Sequence, residues 1–217
     1  MATSLSHKID AHGEIAEMKR IYSAIEASLS QKKAACLLIT SGARGEGKTT
    51  IATGIATIAA RQNGKRILVM DMNWHAPAIH KNFEVDQFFE YDTLKEGTSI
   101  SSFVASSGMN NLDILPAIQS SPDSDIPYAE VDALAVSLIK NARETYDLII
   151  VDTGAMYPAN RRMIDPAIVS KEADGVAIVT LANATPRENV KKAMKTLESA
   201  GANIIGVVAN QWRNPMA

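Results

Sequence analysis

The stretch TSGARGEGKTT at residues 40–50 closes one apolar run, CLLITS at 36–41, and opens a segment of different rhythm, TTIATGIATIAARQNG. A short apolar run predicts a strand. Apolar residues at three- and four-residue spacing, ending in glycine, predict a helix. Between the two, residues 42–49 fit the pattern G-x-x-x-x-G-K-S/T. Glycines at such a turn let successive backbone N–H groups point inward, and the positive end of the following helix adds to them. The expected ligand is the phosphate chain of a nucleoside triphosphate. Gly42, Ala43, Arg44, Gly45, Glu46, Gly47, Lys48, Thr49 and Thr50 would surround it, with Lys48 at the terminal phosphates and the Thr49 hydroxyl on Mg2+. The alternative, a glycine-rich turn that merely starts a helix, is weakened by the strand before it and the helix after it.

The same alternation runs along the chain. Further apolar runs lie at 66–71 (RILVMD), 112–117 (LDILPA), 147–152 (DLIIVD), 175–181 (GVAIVTL) and 203–210 (NIIGVVAN), with helical patterns such as PRENVKKAMKTLESAG between them. Strands apolar on both faces and separated by helices predict an α/β, doubly wound, mostly parallel sheet with helices on both faces. One domain is expected over 1–217, a helical segment at 1–34 leading into a core at 35–217. Residues 11–30 predict an amphipathic helix on the sheet. Residues 84–111 and 120–130 are the least regular and are expected to be surface loops with short helices.

Composition narrows the function. A net charge of −2 argues against a general nucleic-acid binder. A single cysteine, Cys36, excludes a disulfide framework, fits a reducing cytosol and is expected in the core. No stretch approaches the length of a membrane span, and the N-terminal residues lack an apolar signal core, so a cytoplasmic location is expected.

A triphosphate site also needs acids to hold the metal. Two apolar runs end in aspartate, Asp71 and Asp152. In open α/β sheets ligands sit beyond the carboxyl ends of strands, so both acids are expected beside the phosphate loop, completing a Mg2+ site with Thr49. Each is otherwise a cap or turn residue.

With these motifs the chain resembles the MinD/ParA-like P-loop ATPases, and among them the bacterial tyrosine kinases that regulate polysaccharide export. RGEGKTT matches their phosphate loop, ILVMDMNWHAPAIHKNF their second motif and YDLIIVDT their third. GVVAN resembles their last strand, which implies a role for Asn210 in adenine recognition. The departures are equally specific. Asn73 replaces the second acid of D-x-D, His75 replaces an arginine, and DTGA replaces DTPP. Ala43 stands where MinD/ParA proteins have a signature lysine. The segment NQWRNPMA lacks the family's tyrosine cluster; Tyr22, Tyr91, Tyr128, Tyr146 and Tyr157 are scattered instead. EMKRIYS keeps Glu17 and Arg20 of the family's assembly helix but has Ser23 in the third charged place.

The resemblance implies a Mg-ATP-dependent kinase domain acting at the inner face of the membrane through a membrane-protein activator of polysaccharide export. Lys48, Asp71 and Asp152 would be catalytic, and Glu17 and Arg20 would join copies of the chain. Asn73 implies weakened or partner-directed phosphoryl transfer. A positioning ATPase of the ParA/MinD kind and a non-catalytic ATP-binding adaptor remain open. A metal site from His75 and His80, placed around Pro77 in a short helix, is the weaker reading of those two residues. The cluster VKKAMK is expected to be a solvated helix face.

Overall fold

The computed structural model describes residues 12–62, 64–85, 89–90, 100–119, 128–157 and 163–211. Seven strands form one sheet in the order β4-β5-β2-β7-β1-β8-β9. They are β1 (Ala35–Ser41), β2 (Ile67–Asp71), β4 (Ala105–Ser106), β5 (Leu112–Leu115), β7 (Leu148–Ala155), β8 (Gly175–Leu181) and β9 (Ile204–Asn210). All pairings are parallel except that of β4 with β5. A separate two-stranded pair joins β3 (Phe89–Glu90) to β6 (Ile118–Gln119).

The expected doubly wound sheet is therefore present, and its layers follow from the strand sequences. Alternate residues of β1 enter different cores: Cys36 and Leu38 pack on one face, Leu37 and Ile39 on the other. Among the larger helices, α4 (Tyr128–Ala142) and α6 (Arg187–Ser199) lie on the first face; α1 (His12–Leu29) and α2 (Lys48–Arg61) lie on the second. Two short helices, α3 (Ile79–Asn82) and α5 (Pro166–Val169), also lie among the described residues.

Helix α1 packs chiefly on α2, and more lightly on β9. A Cβ added at Gly54 would lie 2.7 Å from Met18 Cε, so this glycine admits the methionine. At the amino ends of the strands, Arg143 Nη1 donates to Ala34 O and to Asp174 Oδ2 at 2.9 Å, and Nη2 donates to Glu172 O at 2.6 Å. One guanidinium thus joins α4, the entry to β1 and the entry to β8.

The irregular stretch differs from expectation. Among the described residues of 84–111 lie a 3-10 turn, Ile100–Ser102, and two short strands, β3 and β4, the latter pairing antiparallel on the sheet edge. Two residues are too short a strand to leave a period in the sequence. Helix α4 already begins at Tyr128, inside a stretch expected to be loop, and 120–127 lie outside the described residues. Of the two histidines, only His80 is helical; His75 sits in the preceding turn.

Candidate nucleotide site

The phosphate loop joins the end of β1 to α2, between β7 and β8 at the centre of the sheet. This is the switch point from which the crossovers run to either side, where open α/β sheets leave a crevice. Gly45 and Gly47 have φ of +77° and +89°, a region that strongly favours glycine. Gly47 is doubly constrained, since a Cβ there would overlap Asn210 Nδ2.

Glu46 ties this loop down. Its buried carboxylate accepts from Ala43 N at 2.7 Å and from Thr185 Oγ1, while its carbonyl accepts from Asn210 Nδ2 at 3.1 Å. Glu46 and Asn210 therefore brace the loop from within it and from the end of β9. Sequence reasoning missed Thr185, which lies beyond β8 and carries no motif. It accepts from Leu181 N at 2.8 Å and so fixes the turn that faces the loop.

Lys48 Nζ lies 3.0 Å from Ser41 Oγ, which in turn donates to Ala43 O at 2.6 Å. Burial pushes the Lys48 ammonium below its ordinary pKa, with Asp152 and Glu46 opposing that shift. A buried cation with one hydroxyl acceptor is short of negative charge. Arg44 is exposed on the loop, and its Nη2 reaches Met163 Sδ at 3.7 Å.

The two strand-end acids are adjacent, Asp71 and Asp152 being register partners of β2 and β7. Thr49 Oγ1 donates to Asp152 Oδ2 at 2.5 Å. The other oxygen, Oδ1, is buried and finds no hydrogen-bond partner among the described residues. Burial, with the charge of Asp71 second, raises the Asp152 carboxyl to about 7. Asp71 is held differently: Asn73 N donates to Oδ1 at 3.1 Å, and Ala78 N and Ile79 N donate to Oδ2 at 3.0 and 3.1 Å. Its carboxylate closes the loop that follows β2. Burial raises its pKa, while those backbone donors pull it down. The Asn73 amide donates to Ala76 O at 2.8 Å within the same loop.

Thr49, Asp71, Asp152 and Lys48 thus meet at one point, and Asn210 joins them through Glu46. Among the described residues no group of three or more His, Cys, Asp or Glu side chains, with or without His75 and His80, is placed to hold a metal. Cys36 is buried. In VKKAMK the three lysines are exposed, as expected of a solvated helix face, with Lys192 Nζ 4.1 Å from the Tyr157 ring centre. No helix among the described residues is long and apolar enough to cross a membrane.

Comparison with known proteins agrees with this fold. The model of the CobQ/CobB/MinD/ParA nucleotide binding domain matches residues 37–217. The tyrosine-protein kinase YwqD of Bacillus subtilis (strain 168) is 28% identical over 199 residues, covering 89% of this chain and 79% of that protein. The kinase domain of the Escherichia coli tyrosine kinase ETK superposes with a TM-score of 0.82 at 22% identity, covering 98% of this chain and 82% of the other. The Pyrococcus horikoshii septum site-determining protein MinD, solved with Mg-ADP, gives 0.63 at 22% identity over 82% and 71%. The two structural likenesses bear out the expected fold, and the kinase relative bears out the resemblance carried by the motifs.

Proposed function

Because the chain belongs to the CobQ/CobB/MinD/ParA nucleotide-binding domain family, we propose that it binds Mg-ATP on residues 42–50 and serves as the cytoplasmic kinase module of a polysaccharide export system. The observation that carries this is the Thr49–Asp152 contact, whose second carboxylate oxygen has no partner among the described residues, together with the buried ammonium of Lys48 that feels its charge. A buried carboxylate oxygen without a partner is costly unless a cation or donor completes it. Magnesium suits the all-oxygen set of hydroxyl and carboxylate, and when bound it would neutralise charge on the phosphates.

The residues divide the work by chemistry. Loop amides and Lys48 hold the phosphates, Lys48 exchanging Ser41 for a stronger anionic partner. Thr49 and Asp152 hold the metal side, with Asp71 adding charge from the next strand. Asp71 is also the group to take a proton from an acceptor hydroxyl, since the Asn73 amide has no basic oxygen. Glu46 and Asn210 keep the loop in shape and form the wall beside which the base would lie. The relatives' names, tyrosine-protein kinase, supply the acceptor class. The exposed Glu17–Arg20 pair on α1 suits contact with another copy, and a membrane-protein partner would bring the domain to the membrane. The acidic net charge speaks against nucleic acid.

A second reading, an ATP-holding adaptor without turnover, is favoured by Asn73, whose amide is uncharged and engaged with Ala76 O. Incubation with γ-labelled ATP and Mg2+, scoring released phosphate and labelled protein, separates the two. The kinase reading expects magnesium-dependent label or release that Asp152→Asn abolishes. Tight ATP binding with neither product supports the adaptor. Turnover undiminished in Asp152→Asn would discard the assigned metal site.

A further inference from the structure

We propose that the Met163 side chain stoppers the outer end of the nucleotide site, and that water or an acceptor hydroxyl reaches the terminal phosphate only when it swings aside. The inference rests on the Mg-ATP site proposed above. Gly154 lies two residues past Asp152 on β7. A Cβ there would overlap Met163 Cε and come within 3.7 Å of Asn73 Oδ1. Gly154 is not among the residues with positive φ, so space rather than backbone conformation requires glycine. The methionine methyl occupies the volume that a side chain at 154 would fill.

From the opposite side, Arg44 on the tip of the phosphate loop donates to Met163 Sδ at 3.7 Å. The thioether therefore spans the gap between the phosphate loop and the strand that carries Asp152. Asn73, two residues past Asp71, borders the same point. Met163 thus contacts both the loop that would hold the phosphates and the strand that carries the metal-side acid.

The residue type suits a movable stopper. A thioether is apolar and excludes water, yet has three rotatable bonds and swings without backbone strain. The chain just beyond it is anchored: Ile164 is buried, Asp165 N donates to Asp132 Oδ1 at 3.0 Å, and Asp165 Oδ1 caps α5 through Ala167 N at 2.8 Å.

The test uses the full chain with 13C-methyl methionine, the Met163 signal being assigned by Met163→Leu. Titration with Mg2+ and a non-hydrolysable ATP analogue should shift that signal along the nucleotide binding curve. Gly154→Ala, whose new methyl takes the same volume, should shift it before any nucleotide is added. With γ-labelled ATP, Met163→Ala should raise phosphate release or transfer severalfold at unchanged nucleotide affinity. An unmoved Met163 methyl on a nucleotide-loaded protein, or a Met163→Ala rate no higher than wild type, overturns the stopper alone. Absence of nucleotide binding by calorimetry would instead remove the Mg-ATP site, and the stopper with it.

Discussion

Asp152 and Asp71 are neighbours in register with opposite surroundings. Three backbone donors satisfy Asp71, whereas Asp152 has one hydroxyl and a bare oxygen. Charge is therefore easier to keep on Asp71, and the Asp152 proton is the one retained, to about 7. The unfolded chain releases that proton in the ordinary carboxylate range, so between that range and about 7 the folded state holds more protons than the unfolded one. Stability then falls as pH rises through this window and levels off above it. Urea denaturation in EDTA at stepped pH should show the decline, and Asp152→Asn should flatten it. An unchanged slope in Asp152→Asn would assign the titration elsewhere.

Among elements, the contact of α1 with α2 turns on Gly54 and Met18. Alanine at an interior helix position gains up to about 1 kcal/mol over glycine. Moving the end of Met18 off its rotamer costs roughly 0.5–1.5 kcal/mol. The two effects nearly cancel, so Gly54→Ala is expected to leave the urea midpoint close to wild type. Gly54→Leu has no such balance, because overpacking costs about 1–3 kcal/mol and forces the helices apart. Its midpoint should drop, and α1 amides should exchange faster by hydrogen-exchange mass spectrometry. Wild-type protection of α1 in Gly54→Leu would show that this packing does not hold the helix.

Across the whole molecule, the nucleotide site joins parts that the two cores hold separately. The phosphate loop leads from β1 into α2 on one face, while Thr185, past the adjacent strand β8, and Asn210, at the end of the edge strand β9, reach it from one side of the sheet. A ligand that binds only this assembled arrangement stabilises the fold by mass action, about 2.7 kcal/mol at a hundred times its dissociation constant. For a chain of this size that raises the melting temperature by roughly 5–10 °C. Mg-ATP should produce such a rise in a thermal scan, and Lys48→Met should abolish it without lowering the ligand-free melting temperature. An equal rise in Lys48→Met would move the binding site away from the loop.

Local pattern by itself determined the alternation of strands and helices, the doubly wound sheet and the phosphate loop. Burial on both faces writes apolar runs directly into a strand, and phosphate binding demands glycines and a lysine at fixed short spacing. It also marked Asp71 and Asp152, since strand ends in such a sheet face the ligand. Tertiary structure alone decided that Asp152 keeps a bare oxygen among the described residues, because its one donor, Thr49, comes from another element 103 positions away, whereas Asp71 takes its donors from the loop two to eight residues further on. The same holds for Glu46 with Thr185, separated by 139 positions, and for Met163 against Gly154 and Arg44. Strand order brings such partners together, and strand order leaves no period in the sequence.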